Sequence, residues 1–152
     1  MKLYKALKLR KSLIGEINKL KEQIKEKNSY LVGSKNGEKF SVDGLYVDLL
    51  AKIDELTNLK FIINEANGEI QSQIYVLGEY KALIAFWKEV SVVEGTQTVE
   101  YGGEKTHEYA VQIDEAKRDG FLKEFQKRVD AIQEEIDMFN YTTEIPYGIE
   151  AE

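Results

Sequence analysis

At 152 residues and 17.5 kDa the chain is sized for a single domain, 1–152, with enough side chains for a core that needs no metal or disulfide staple. It contains no cysteine, which excludes a disulfide framework, a thiolate nucleophile and Cys-ligated zinc and suits a reducing compartment. A net charge of −6 argues against a nucleic-acid polymer as partner, and no run nears the roughly 20 apolar residues of a membrane span, so the expectation is a cytoplasmic protein without a membrane partner.

Charge is unevenly placed, with nine basic and three acidic side chains in residues 1–28. A basic helix lying against acidic ones explains this, and a basic face for a phosphate-bearing ligand is the alternative. The same segment mixes lysine with leucine and lacks the apolar run of a secretory signal.

The only proline is Pro146, so long helices can form without the strongest breaker. The first helix is predicted over 2–28, with Leu13, Ile17, Leu20 and Ile24 in the 4-3-4 steps of a coiled-coil seam. Gly33, Ser34, Asn36 and Gly37 end it in a loop. A second helix follows over about 44–66, capped by Asp43, striped by Leu49, Ile53, Leu56 and Ile63, and stopped at a left-handed Asn67-Gly68. The third, about 69–90, is apolar around well over half its circumference, at Ile74, Val76, Leu77, Tyr80, Leu83, Ile84, Phe86 and Trp87. Burial on two sides is expected, one of them against another subunit.

Between residues 96 and 113 the pattern becomes that of a β-hairpin turning at Gly102-Gly103. Asp114 then caps a fourth helix running to about 139, with the seam 118, 122, 125, 129, 132, 136, 139. The fold class is therefore mainly α: an antiparallel long-helix bundle of about four helices with a small β-hairpin insertion.

Two arginines interrupt these stripes. Arg10 points the same way as Leu3, Ile17 and Ile24, and Arg118 the same way as Leu122, Phe125, Ile132 and Ile136. A guanidinium so placed needs a carboxylate, carbonyl oxygens or an anionic ligand. An internal ion pair, for instance Arg118 with a glutamate of another helix, is the structural explanation. An anion pocket where Arg10, Arg118 or Arg128 converge between helices or subunits is the functional one. Aromatic side chains gather near the third helix and hairpin at Trp87, Tyr101 and Tyr109, with His107 among them, and arginine forks beside aromatic faces suit purines and phosphates. Cores and interfaces use the same residues.

No P-loop, dinucleotide-binding, nucleophile-elbow or zinc-protease motif occurs. Glu104 and His107 have E-x-x-H spacing, but a di-iron bundle requires that pair twice and on helices, so neither a metal nor a cofactor is expected. Adjacent carboxylates such as Glu134-Glu135 and Asp54-Glu55 suit exposed helix faces better than one catalytic cleft.

Three segments, Met1-Lys2-Leu3 with Ala6-Leu7 and Arg10, then Ile62 to Asn67, and finally Ile136 to Ile145, come in an order that resembles an uncharacterised bacterial family of helical proteins, some labelled septicolysin. Tyr141 stands where tryptophan is expected in that family. The resemblance implies a helical hairpin bundle with a small β insertion and brings no established activity.

These residues suggest a non-enzymatic homo-oligomer that binds a small anionic, nucleotide-like ligand in interhelical or intersubunit pockets, as a sensor or a sponge, including a bacterial or phage sponge for nucleotide immune signals. The alternative is a structural or protein-interaction coiled-coil bundle without a ligand. An enzyme using Tyr, Lys or Glu as acid and base on an arginine-bound substrate is a third reading.

Overall fold

Four helices and one antiparallel hairpin make up the computed structural model, which describes residues 1–34, 40–99 and 105–148. In chain order they are α1 (Leu3–Lys27), α2 (Val42–Asn67), α3 (Gln71–Glu89), β1 (Gly95–Val99), β2 (Lys105–Tyr109) and α4 (Glu115–Thr142). The chain divides into two compact units: Met1–Glu69 with Met138–Glu152, and Ile70–Asp137. Helix α4 starts in the second and ends in the first.

Local chemistry sets the helix ends. Ser41, not Asp43, caps α2: its hydroxyl accepts the Gly44 N–H at 3.1 Å, while Asp43 lies inside the first turn, where its charge suits the helix dipole. The left-handed stop expected at Gly68 does not form. Gly68 keeps helical angles, φ −51° and ψ −36°, and donates its N–H to the Glu65 carbonyl at 3.2 Å. Asp114 caps α4 as expected, accepting the Lys117 N–H at 2.8 Å. That helix continues to Thr142 rather than 139, because nothing in residues 139–142 breaks it. The strands are shorter than the predicted hairpin, and residues 110–113 form the link into α4. The Gly102-Gly103 turn lies outside the described residues.

In the first unit α1 and α2 pack along one another over a continuous apolar core. Leu3, Leu13, Leu59 and Ile63 are its fully buried large side chains, and Ile17, Leu49, Leu56 and Ile145 complete it. The predicted seam is therefore present, with Leu20 and Ile24 partly buried against the same cluster. Lys52 on α2 clamps α1 through Glu16 at 3.1 Å and also reaches Glu55 at 3.3 Å.

The second unit is built differently. Among the described residues its buried apolar side chains are Ile70, Leu77 and Ile84 at seven-residue steps, and Val129 and Ile136 at the same step on α4. Each row has the seven-residue interval of a coiled coil. Long side chains join the two helices: Tyr80 meets Phe125 at 5.5 Å between centroids, and Trp87 meets Phe121 at 5.0 Å. Trp87 meets Phe121 further along α3 and earlier on α4 than Tyr80 meets Phe125 or Lys81 donates to Gln133, so the two helices run antiparallel.

The two-sided burial expected of α3 is not found in the single chain. Leu77 and Ile84 are buried, but Tyr75, Val76, Leu83 and Phe86 are exposed. Val76, Leu83 and Phe86 lie on one stripe, roughly 120° around the helix from the buried row. Burying that stripe as well needs something outside this chain's own core.

Candidate functional site

The three arginines are not gathered at one place. Arg10 lies on α1 in the first unit, and Arg118 and Arg128 lie on α4 in the second. Arg10 is half-buried within the apolar row of Leu3, Ala6 and Leu13, and makes no ion pair or side-chain hydrogen bond with the described residues. Arg118 has a side chain only 18% exposed, in keeping with its stripe position. Its partners come from its own helix and not from another one: Asp119 at 3.0 Å and Glu115 at 3.6 Å. Glu115 lies three residues back, one helical turn away on the same face, and Asp119 is the next residue along the chain.

Arg128 is on the surface. It pairs with Glu124 at 2.6 Å, and its guanidinium donates to the Tyr80 hydroxyl at 3.4 Å while lying 5.9 Å from that ring's centre. Tyr80, and then Glu124, favour its charged form. Two of the three arginines are thus neutralised locally.

The aromatic expectation leads to a cavity instead. The hairpin and its two links, with the C-terminal end of α3, border an open concavity of about 720 Å³ in the second unit. Phe86, Trp87 and Val90 form one wall. Ser91 and Val93 of the link into β1, with Gln97 and Tyr109 of the hairpin, form a second, and Ala110 to Ile113 close the third. Trp87 is held edge-on to Phe86 at 5.3 Å and against Phe121 from α4, so its indole is braced on two sides.

Strand register explains the hairpin's part. Gln97 pairs with His107, and Gly95 with Tyr109. Alternate residues share a face, so Gln97, His107 and Tyr109 point the same way. Gly95, at φ +83°, begins the strand in a conformation that favours glycine and leaves the space opposite the Tyr109 ring open. His107 is exposed, 6.5 Å from Tyr109 between ring centres, and does not line the cavity. Tyr101 and Glu104 lie outside the described residues. No cluster of three or more potential metal-ligating side chains occurs among the described residues.

Among the described residues no charged side chain lines this cavity. Its polar groups are the carboxamides of Gln97 and Gln112 and the Ser91 hydroxyl. The reading of the sequence picked out Trp87 and Tyr109 but missed Phe86, Gln97 and Gln112. Period-two alternation from Tyr109 would have found Gln97, whereas Gln112 lies in an irregular link with no periodicity to reveal it.

A second constellation ties the chain's ends together in the first unit. Leu3 donates its N–H to the Thr143 carbonyl at 2.9 Å, and Ile145 donates to the Met1 carbonyl at 2.8 Å. The Met1 ammonium donates to the Ile145 carbonyl at 2.9 Å, and Lys2 pairs with Glu144 at 3.0 Å. Tyr4 stacks on Tyr141, 4.5 Å between centroids and 13° between planes. That hydrogen-bonded pair with Lys2 holds the Glu144 carboxyl below its ordinary pKa. Ile62, Ile63 and Ala66 pack into the same core, so the first two segments carrying the family resemblance and residues 138–145 of the third belong to one unit.

Comparison with known protein families, with curated proteins and with solved structures gives no match.

Proposed function

We propose that the chain is a non-enzymatic helical homo-oligomer that holds a small molecule at the Trp87 cavity. The observation that carries this reading is the second apolar stripe of α3, exposed at Val76, Leu83 and Phe86, which runs into the cavity at Phe86. A contiguous apolar surface of this kind marks an interaction site. The coiled-coil spacing of the stripe suits another helix of the same type.

The cavity has the size and the mixture of aromatic walls and few polar groups that small-molecule sites have. It offers amides and a hydroxyl but no acid-base pair or nucleophile with its base, so holding the ligand, as a sensor or sequestering protein does, fits better than converting it. Among the described residues no helix is long and apolar enough to cross a membrane, which agrees with a cytoplasmic role. Membership of the septicolysin-labelled helical family belongs to the same proposal, supported by the place of its first two segments and residues 138–145 of the third in one unit. A scaffold without a ligand is the second reading, and the α3 stripe supports it equally.

Native mass spectrometry of the purified protein tests the choice. A multiple of 17.5 kDa carrying or capturing a small molecule is the expected result. An oligomer that captures nothing favours the scaffold, and a bare 17.5 kDa monomer overturns both.

A further inference from the structure

The cavity's lining says more about its occupant than that it is small. Aromatic faces at Phe86, Trp87 and Tyr109 suit a flat partner that stacks, since stacking on a ring is sequence-tolerant and available to every base. Gln97 and Gln112 bring carboxamides to two of these walls, and both side chains are exposed to solvent. A carboxamide offers a donor and an acceptor side by side, which matches the N6 and N7 edge of adenine. An acyl chain or other purely apolar ligand would leave these amides without partners once water is displaced. An anion would find no cation among the described residues of the lining, which include no lysine, arginine or histidine.

We propose that the Trp87 cavity binds an uncharged purine base or nucleoside, stacked on the aromatic wall and read along its edge by Gln97 or Gln112. This rests on the reading of the cavity as a ligand site and changes the ligand expected from the arginines: the recognised part is the base, and a phosphate adds nothing to its affinity.

Trp87 is the chain's only tryptophan, so intrinsic emission reports on this wall directly. The full-length protein is titrated with adenosine, guanosine, cytidine, uridine and adenosine monophosphate, and with 1-naphthol as a flat probe that lacks the edge pattern of a base. Calorimetry runs in parallel. Saturable change of Trp87 emission with a purine nucleoside is expected, with the monophosphate binding no more tightly than adenosine. In Gln97→Leu or Gln112→Leu purine affinity falls about tenfold or more, while naphthol binding stays within about twofold. Both variants alter exposed or linking residues, and naphthol binding confirms that the cavity has survived. If naphthol binds and no nucleoside does, the base assignment is wrong while the ligand site stands. If the monophosphate binds much more tightly than the nucleoside, recognition of an uncharged ligand is wrong. If no probe changes Trp87 emission or produces heat, the ligand reading falls as well.

Discussion

The two units of this chain use the same element, a pair of long helices, and bury it to different degrees. In the first, leucine and isoleucine from α1, α2 and the segment after α4 form a continuous core, and backbone hydrogen bonds join the beginning of the chain to residues 143–145. In the second, each helix buries one heptad row and a set of aromatic contacts joins α3 to α4, while a further apolar stripe of α3 stays in solvent. On the proposed reading the first unit is held by its own core, and the second, joined by long side chains, gains stability from what else it packs against.

Breaking each unit at its own apolar stripe exposes this difference most strongly. Leu59→Ala removes a fully buried side chain from the first core and is expected to cost about 2–5 kcal/mol of unfolding free energy by urea denaturation. Leu83→Glu alters an exposed position, 36% accessible in the single chain, and is expected to leave the helix formed while lowering the native mass measured by light scattering. A mass unchanged by this glutamate would remove the α3 stripe from the interface.

Smaller perturbations sharpen the comparison. Tyr147 donates to Glu55 at 3.2 Å and anchors the segment after α4 to α2, so Tyr147→Phe is expected to cost about 1 kcal/mol by thermal or chemical denaturation. Burial, followed by the Glu55 charge, raises the Tyr147 pKa above its ordinary value of 10.0. Folding therefore favours the protonated phenol: its contribution is complete below pH 10 and declines as pH rises through the folded pKa. A pH series of denaturation curves should show that alkaline decline in the wild type and lose it in Tyr147→Phe.

On the acid side, the hydrogen bond from Lys52 lowers the Glu16 pKa and that from Lys2 lowers Glu144, both below 4.5. Their contributions are present above pH 4.5 and are lost as pH falls through the lowered values. Both carboxylates belong to the first unit, so Glu16→Gln with Glu144→Gln should flatten a shallow acid limb there. The smallest effect is expected at Arg118→Gln, whose partners, Asp119 and Glu115, are largely exposed, giving a stability change of about 0–1 kcal/mol. A change of several kcal/mol would restore Arg118 to a buried role.

Much of this architecture was legible in the sequence. The 13-17-20-24 seam, the Asp114 cap and the hairpin between α3 and α4 follow from periodicity and capping chemistry, which act within a few residues. The misreadings occur where neighbouring signals compete or where distance matters. Ser41 and Asp43 are both good caps, and only the backbone shows that the hydroxyl reaches the Gly44 N–H. Asn67-Gly68 permits a left-handed turn without requiring one. Arg118 was correctly placed on a partly buried stripe, but its partners were sought across the bundle when Asp119 and Glu115 were adjacent. The cavity was half visible: Trp87 and Tyr109 stand out as rings, whereas Gln97 and Gln112 acquire meaning only when the hairpin and the end of α3 border one concavity.

The proposed contrast, a first unit that needs no partner copy and a second that does, is tested most directly by amide hydrogen exchange at several protein concentrations. Protection of α3 should fall on dilution, as copies separate, while that of Leu3–Lys27 in α1 stays constant. Protection of α3 that equals that of α1 and is independent of concentration, in a 17.5 kDa monomer, would contradict the account.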